Sequence, residues 1–427
     1  MVTALSLVGL RHTRDREIST KAEGVRVAEL RYAPCLSPGR KRERIEPNLS
    51  FDGRSLLQHL RIRERTMKRI LPLLLVLSLG VTAYGCKDKS HNDDKKAGDT
   101  PNPGNPPPGQ QEPGTNAPPT AEEMNTNPIE GIEAPTAAVE VGAYTDGPAW
   151  HPVLGVLFFT TPLDDGALLR MFPDGRRSTV RDGVRAQNTQ PIGNAVTATG
   201  DLITVEARRI VRLVAGDGNP DVIAVNYSGA QQASGDAGAA TADGQFDTLN
   251  DVVARKDGTL YVTDPGYFTP EPGPATNRIY RVDPTGKVAV EDTFEDVPRP
   301  NGITLSPDEK LLYVGFSLPA EGTMPFIRKY TVNEDGTLGE WTKFADIAPA
   351  DSSPDGLAVD KAGNLYVATA TGIEVYKPDG NPWGKVEVPE KPTTGVAFGG
   401  ADLKTLYITT GGAKIWQIKP KLAGVGP

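Results

Sequence analysis

The chain has 427 residues, a formal charge of −8 and 38% hydrophobic residues, enough for one large packed domain with appendages. Its charge is uneven: residues 1–86 hold sixteen Lys or Arg against eight Asp or Glu, so the remainder is strongly acidic and lacks the basic face that nucleic acid requires. The only cysteines, Cys35 and Cys86, lie in the front part, which excludes disulfides and thiolate metal ligands from the rest.

Residues 67–86 read as a secretory signal. Met67-Lys68-Arg69 is a basic start, an apolar run of about fifteen residues follows, and small residues precede Cys86. The run is shorter than the roughly 20 residues of a membrane-spanning helix. Ala83-Tyr84-Gly85-Cys86 resembles a bacterial lipobox, which implies cleavage and lipid attachment at Cys86. Export machinery reads the N-terminus, so translation is expected to begin at Met67, with residues 1–66 an unstructured or mis-assigned extension. Lys87 is not the Asp retention signal of many inner-membrane lipoproteins, which favours the outer membrane or its periplasmic face. Residues 87–139, rich in Pro, Gly and Asn, predict a disordered tether, because such a composition buries little apolar area.

From residue 140 to 427 one pattern recurs six times at spacings of roughly 40 to 60 residues: polar loop, apolar strand, tight turn, and a second strand with a triplet such as LYV. The copies begin near Asp146, Ile192, Asn250, Asn301, Asp355 and Gly395. Strand repeats of that period predict an all-β, six-bladed β-propeller, in which the loops before the first strands converge on one mouth of a central channel. Asp146, Asn250, Asn301 and Asp355 occupy four of these six mouth positions. The second copy offers Ile192, or Asn194 if the register slips, and the sixth offers Gly395.

Two carboxylates and two neutral amide oxygens would offset a hard divalent cation and leave positions for water and substrate. Asp and Asn before Gly also make ordinary turns, but four at equivalent positions point to a site. The single histidine of this region, His151, reads as a strand-end packing residue, and no Gly-x-Ser-x-Gly elbow occurs. Asp264 and Glu206 end second strands and either face the channel or cap a turn.

FDTLNDVVARKDGTLYVTDPGYF, RPNGITLSPDEKLLYVGFS, SPDGLAVDKAGNLYVATATGIEVYKPDG and GVAFGGADLKTLYIT resemble blades of the gluconolactonase, regucalcin (senescence marker protein) and luciferin-regenerating-enzyme family, over essentially residues 140–420. The resemblance implies a metal-binding channel mouth and lactone hydrolysis. It implies that Asn250, Asn301 and Asp355 are metal ligands and that Asp355 is also the catalytic acid or base. Asp146 stands where the family usually has Glu, and its carboxylate reaches about one methylene less far. Thr248 stands where some members have a substrate arginine, so substrate identity is not inherited.

The expectation is therefore a lipid-anchored, metal-dependent lactonase acting on small lactones. Calcium leads zinc, magnesium and manganese as the cation. A non-catalytic ligand- or protein-binding propeller of the envelope is the alternative, with an esterase or strictosidine-synthase-like propeller a third.

Overall fold

The computed structural model describes residues 118–427 apart from 164–165, 184–188, 217–218, 228–243, 268–275, 296–297, 318–323 and 350–351. The expected extension 1–66, the signal 67–86 with its Cys86, and the tether as far as residue 117 lie outside the described residues.

A short helix, α1 (Ala121–Met124), precedes strand β1 (Thr136–Glu140). Blade one is β2 to β5 (Asp146–His151, Val156–Thr160, Ala167–Met171, Arg177–Asp182), and blade two is β6 to β9 (Pro191–Val196, Leu202–Glu206, Arg209–Leu213, Asp221–Ala224). Blade three is β10 to β13 (Val252–Ala254, Leu260–Asp264, Thr276–Val282, Val288–Glu295), and blade four is β14 to β17 (Arg299–Leu305, Leu311–Ser317, Phe326–Val332, Leu338–Asp346). Blade five is β18 to β21 (Pro354–Val359, Leu365–Thr369, Gly372–Tyr376, Pro382–Val386). Blade six combines β22 to β24 (Thr393–Gly399, Thr405–Thr410, Lys414–Ile418) with β1 as its outer strand. The described residues thus form the expected six-bladed β-propeller of four-stranded antiparallel sheets.

The apolar triplets explain why the blades stack. Successive strand side chains point to opposite faces, so Leu260 and Val262 pack against blade two while Tyr261 packs against blade four. The rule repeats around the ring: Leu312 and Val314 face blade three and Tyr313 faces blade five, then Leu365 and Val367 face blade four and Tyr366 faces blade six. In blade six Leu406 and Ile408 face blade five while Tyr407 faces blade one. Strands buried on both faces read as continuous apolar runs. Two of these tyrosine hydroxyls have partners inside the interfaces: Tyr261 donates to the Gly336 carbonyl at 2.6 Å and Tyr366 to Asp360 at 3.2 Å. Truncating one such leucine to alanine costs about 2–5 kcal/mol, because the packed interface collapses only partly.

One boundary differs from the sequence expectation. Residues 118–139, read as the end of the tether, belong to the packed unit. Thr120 and Glu123 cap α1 reciprocally, Ile129 and Ile132 pack between blades five and six, and β1 pairs with β24 from Thr136↔Gln417 to Glu140↔Lys414. The strand TAAVE is largely exposed and carries no aromatic triplet, so its sequence gives little sign of burial. Its role comes from elsewhere: the C-terminal blade has only three strands of its own.

Candidate cation site at the channel mouth

Each inner strand enters the channel through a mouth residue, and in every blade but the third the next position admits almost no side chain. In five blades that position is glycine: Gly147, Gly193, Gly302, Gly356 and Gly395. A Cβ on Gly302 would lie 2.0 Å from the Asp355 carbonyl, and one on Gly147 would lie 2.1 Å from the Ile192 carbonyl. Gly147 also has φ +51°, a left-handed conformation that glycine adopts without a steric penalty. The ring of contacts fixes the register. The mouth residues are Asp146, Ile192, Asn250, Asn301, Asp355 and Thr394, so the sixth is Thr394 and not Gly395.

Threonine hydroxyls of neighbouring blades hold several mouth residues in place. Thr160 Oγ1 donates to the Ile192 carbonyl, Thr263 Oγ1 to the Asn301 carbonyl and Thr394 Oγ1 to the Thr145 carbonyl, each at 2.7 Å. Thr263 also organises its own blade, since Asn250 N donates to its carbonyl at 2.9 Å and Asp251 N to its hydroxyl at 3.1 Å. These bonds seat backbone carbonyls that the narrow channel removes from water.

Three of the four expected ligands, Asp146, Asn250 and Asp355, line one cavity of about 210 Å³, together with Asp251. Asn301 borders Asp355, whose carboxyl its amide lowers by hydrogen bonding against a larger upward push. The Asn301 Nδ2 donates to the Tyr267 hydroxyl at 3.2 Å, which leaves Oδ1 buried with no hydrogen-bond partner. A buried amide oxygen without a donor costs about 1–3 kcal/mol. It is the atom a cation would satisfy. Asn194, the alternative at the second position, is already committed: Nδ2 donates to the Gly147 carbonyl at 2.7 Å and Oδ1 accepts from Thr204 at 2.8 Å.

Burial dominates the electrostatics. The Asp146 carboxyl is pushed up to about 7 by loss of water and further by Asp251, against a hydrogen bond from Gly147 N at 2.8 Å. Asp251 reaches about 7 for the same leading reason, and burial, then Asp146 and Asp251, raise Asp355 well above the carboxylate range. Tyr144 and Tyr267 flank the group: burial first, then the Asp146 and Asp355 charges, raise the Tyr144 phenol, and burial raises Tyr267 to about 12. Asp146, Asn250 and Asp355 around one cavity, with Asn301 beside Asp355, offer the oxygen donors that a divalent cation prefers, and a cation would replace the protons that burial otherwise retains. Among the described residues no group of three or more His, Cys, Asp or Glu side chains could by itself hold a metal ion. The donor set depends on its asparagines.

The two open readings resolve as structural. Asp264 accepts from Asp247 N at 2.9 Å, Thr248 N at 2.7 Å and the Tyr280 hydroxyl at 3.2 Å, so it caps the loop that delivers Asn250. Glu206 is fully buried between Arg181 and Arg209. His151 accepts from Leu154 N at Nδ1, so Nε2 carries the proton and donates to the Gly200 carbonyl at 2.9 Å. Sequence reasoning misses Asp251 and Tyr267. Asp251 has one signal, the Asn-Asp pair where other repeats have a glycine second; Tyr267 has none.

Residues 144–412 match the family model described as the SMP-30/Gluconolactonase/LRE-like region. Pentonolactonase XacC of Haloferax volcanii is 27% identical over 271 residues, covering 62% of this chain and 81% of its own length. A gluconolactonase of Zymomonas mobilis is 26% identical over 293 residues, covering 62% and 76%. Among solved structures, a gluconolactonase of Xanthomonas campestris superposes with a TM-score of 0.55 at 27% identity, covering 67% of this chain and 89% of that one. The calcium-binding protein regucalcin of Agrobacterium tumefaciens, at 18% identity and a TM-score of 0.54, shares the fold over 69% of this chain and 96% of its own.

Proposed function

Because the chain belongs to the SMP-30/gluconolactonase/LRE-like family, we propose that it is a divalent-metal-dependent lactonase. Its cation would be held by Asp146, Asn250, Asn301 and Asp355, with calcium the leading candidate. The observation that carries this reading is the unpartnered, buried Asn301 Oδ1 beside a carboxylate-lined cavity. When bound, the cation would supply Lewis-acid polarisation of the lactone carbonyl.

The chain's own residues would do the rest. Tyr267, itself within 3.1 Å of Ser317 Oγ, orients the Asn301 amide so that its oxygen is available. Asp355 accepts a proton from the attacking water as the new C–O bond forms, and returns it to the ring oxygen as the lactone C–O bond breaks, giving the hydroxy acid.

The direct test is hydrolysis of a panel of aldonolactones and acyl lactones with and without chelator. Chelator-sensitive opening of at least one lactone is expected. Cation binding without any opening would instead favour the ligand-binding propeller. Asn301→Ala and Asn250→Ala are each expected to weaken calorimetric calcium binding by about 10–100-fold, the scale typical when a site loses a supporting group. Unchanged affinity in the double variant would place the site elsewhere.

The raised carboxyls also give a sign for stability against pH. Asp146 and Asp251 near 7, with Asp264 and Asp360 near 6, bind more protons folded than unfolded, where aspartate titrates near 3.9. Their contribution is full below about pH 4 and is lost as pH rises towards 7. In chelator the melting temperature is therefore expected to fall across that range, and calcium is expected to flatten the slope by favouring the ionised forms. A melting temperature that climbs from pH 5 to 7 in chelator would contradict the raised set.

We further propose attachment to the cell envelope through a lipid on Cys86, with Met67 as the start. Intact mass of the native protein tests both, and a peptide from residues 1–60 would refute the start.

A further inference from the structure

Three arginines converge at the mouth end of blades two to four. Strands β7 and β11 end at the channel mouth while β12 and β14 begin there, which puts Arg208 just past β7, Arg278 near the start of β12 and Arg299 at the head of β14 on one face of the ring. Asp247 stands among them. Its N–H donates to Asp264 at 2.9 Å, Asp264 pairs across the sheet with Arg278, and Leu249 N donates at 3.0 Å to the carbonyl of Ala207, the neighbour of Arg208. Arg299 joins through the same loop, its Nη1 reaching the Gly266 carbonyl at 3.5 Å. Burial pushes the Asp247 carboxyl up, and the charges of Arg208, Arg299 and Arg278 all pull against that push.

The group holds more positive charge than its own carboxylates use. Three guanidinium groups face Asp247 and Asp264, and the Asp264 oxygens are already taken by Asp247 N, Thr248 N and the Tyr280 hydroxyl. Among the described residues Arg181, Arg209, Arg281 and Arg328 each hold a carboxylate in an ion pair, whereas Arg208 and Arg299 hold none. Arg299 also buries its Nε–H without a partner. Arg255 and Arg328 bury an unpaired Nε too, but each keeps a carboxylate, Asp257 at 3.1 Å and Asp292 at 3.3 Å. Guanidinium nitrogens only donate, so an unfilled fork at the edge of a cavity suits an anionic acceptor.

Position decides which anion. The Arg299 Cζ lies 5.6 Å from the centre of the Tyr267 ring, and the Tyr267 hydroxyl accepts from Asn301 Nδ2 at 3.2 Å. A single tyrosine separates the arginines from a proposed cation ligand.

We propose that Arg208, Arg278 and Arg299 form an anion subsite beside the cation site, which takes an oxyanion group carried by the ligand at the channel mouth. The favoured substrates are then lactones with a second, anionic end, the carbonyl at the cation and the carboxylate, phosphate or sulfonate on the arginines. Arg278, with its Cζ 4.8 Å from the centre of the Tyr227 ring, is a fixed wall of the subsite, and Arg208 and Arg299 bring the open donors. The inference rests on the lactonase reading for the nature of the ligand. Anion binding itself requires no turnover.

The test has two arms, both on the full chain. In the first, kcat/KM is compared for an aldonolactone and for the same lactone with a carboxylate or a phosphate on its terminal carbon. Wild type is expected to favour an anionic form by at least about tenfold, with the preference shrinking as salt is added, and Arg208→Gln and Arg299→Gln are each expected to lose most of it. A ratio of substrates is not moved by a general loss of fold or of metal. Arg208 lies in the turn between β7 and β8, so Arg208→Gln serves should Arg299→Gln fail to fold. In the second arm inorganic phosphate is titrated into metal-free protein while the melting temperature is followed. A rise that the double variant lacks is expected.

A ratio near one in an active wild type overturns the proposal. So does a ratio or a phosphate-induced rise that survives in the variants, because the arginines would then only balance Asp247 and Asp264. A wild type that opens no lactone of either charge removes the lactonase reading by itself, and the phosphate arm still decides the subsite: a rise lost in the double variant upholds it, and no rise in the wild type removes it.

Discussion

Asp355→Asn is expected to lower lactone turnover by at least about 10²-fold while metal affinity falls only moderately. The substitution keeps the side chain's size and one oxygen that can face a cation, and it removes the negative charge and the basicity. Its backbone packs closely on blade four: the Asp355 carbonyl lies 2.0 Å from where a Cβ on Gly302 would stand. Burial favours the protonated form of the side chain, the charges of Asp146 and Asp251 push the same way, and the Asn301 amide pulls against them. A bound cation would displace the proton that burial retains and leave the carboxylate ionised, as a general base must be. Assay at saturating calcium separates the two roles. Activity that returns to near wild type there would make Asp355 a ligand only, whereas a persisting deficit with the site filled assigns it the proton.

How much of this is legible in the sequence depends on the range of the interaction. The LYV triplets declare strands buried on both faces, and their spacing declares a closed ring, because alternation of side chains is a local property that repetition makes visible. The same alignment brings Asp146, Asn250 and Asp355 to one cavity and Asn301 beside it. It is off by one residue in blade six, where the contact of Gly395 with Pro148 makes Thr394 the mouth residue. Asp251 escapes it because Asn-Asp reads as a turn; that it replaces a ring glycine appears only when five Cβ positions collide with the next blade. Asp264 is ambiguous for a related reason. Its acceptors are filled by Asp247 N and Thr248 N, sixteen or more residues upstream, and no local pattern announces that.

A chain beginning at Val141 is expected to melt roughly 10 °C or more below one beginning at Pro118, or to aggregate. The shorter chain keeps every aromatic triplet and every proposed ligand, yet it loses β1. Without that strand, β24 presents an unpaired edge from Lys414 to Gln417, the kind of edge that recruits other chains. It also loses the packing of Ile129 and Ile132 between blades five and six and the bond from Lys421 N to the Pro128 carbonyl at 3.0 Å. What remains at the junction of blades six and one is the stack of Trp150 on Tyr407 and, at the mouth, Thr145, joined to Thr410 by backbone and hydroxyl bonds of 3.0 to 3.1 Å and to Thr394 at 2.7 Å. Thr145 is the residue before Asp146, so loosening there reaches the proposed cation site directly. The shorter chain, where it stays soluble, is therefore expected to bind calcium more weakly as well. Melting curves and calorimetry on the two chains decide it: equal melting temperatures would mean that β1 merely covers blade six, and that the ring is closed by the inner strands alone.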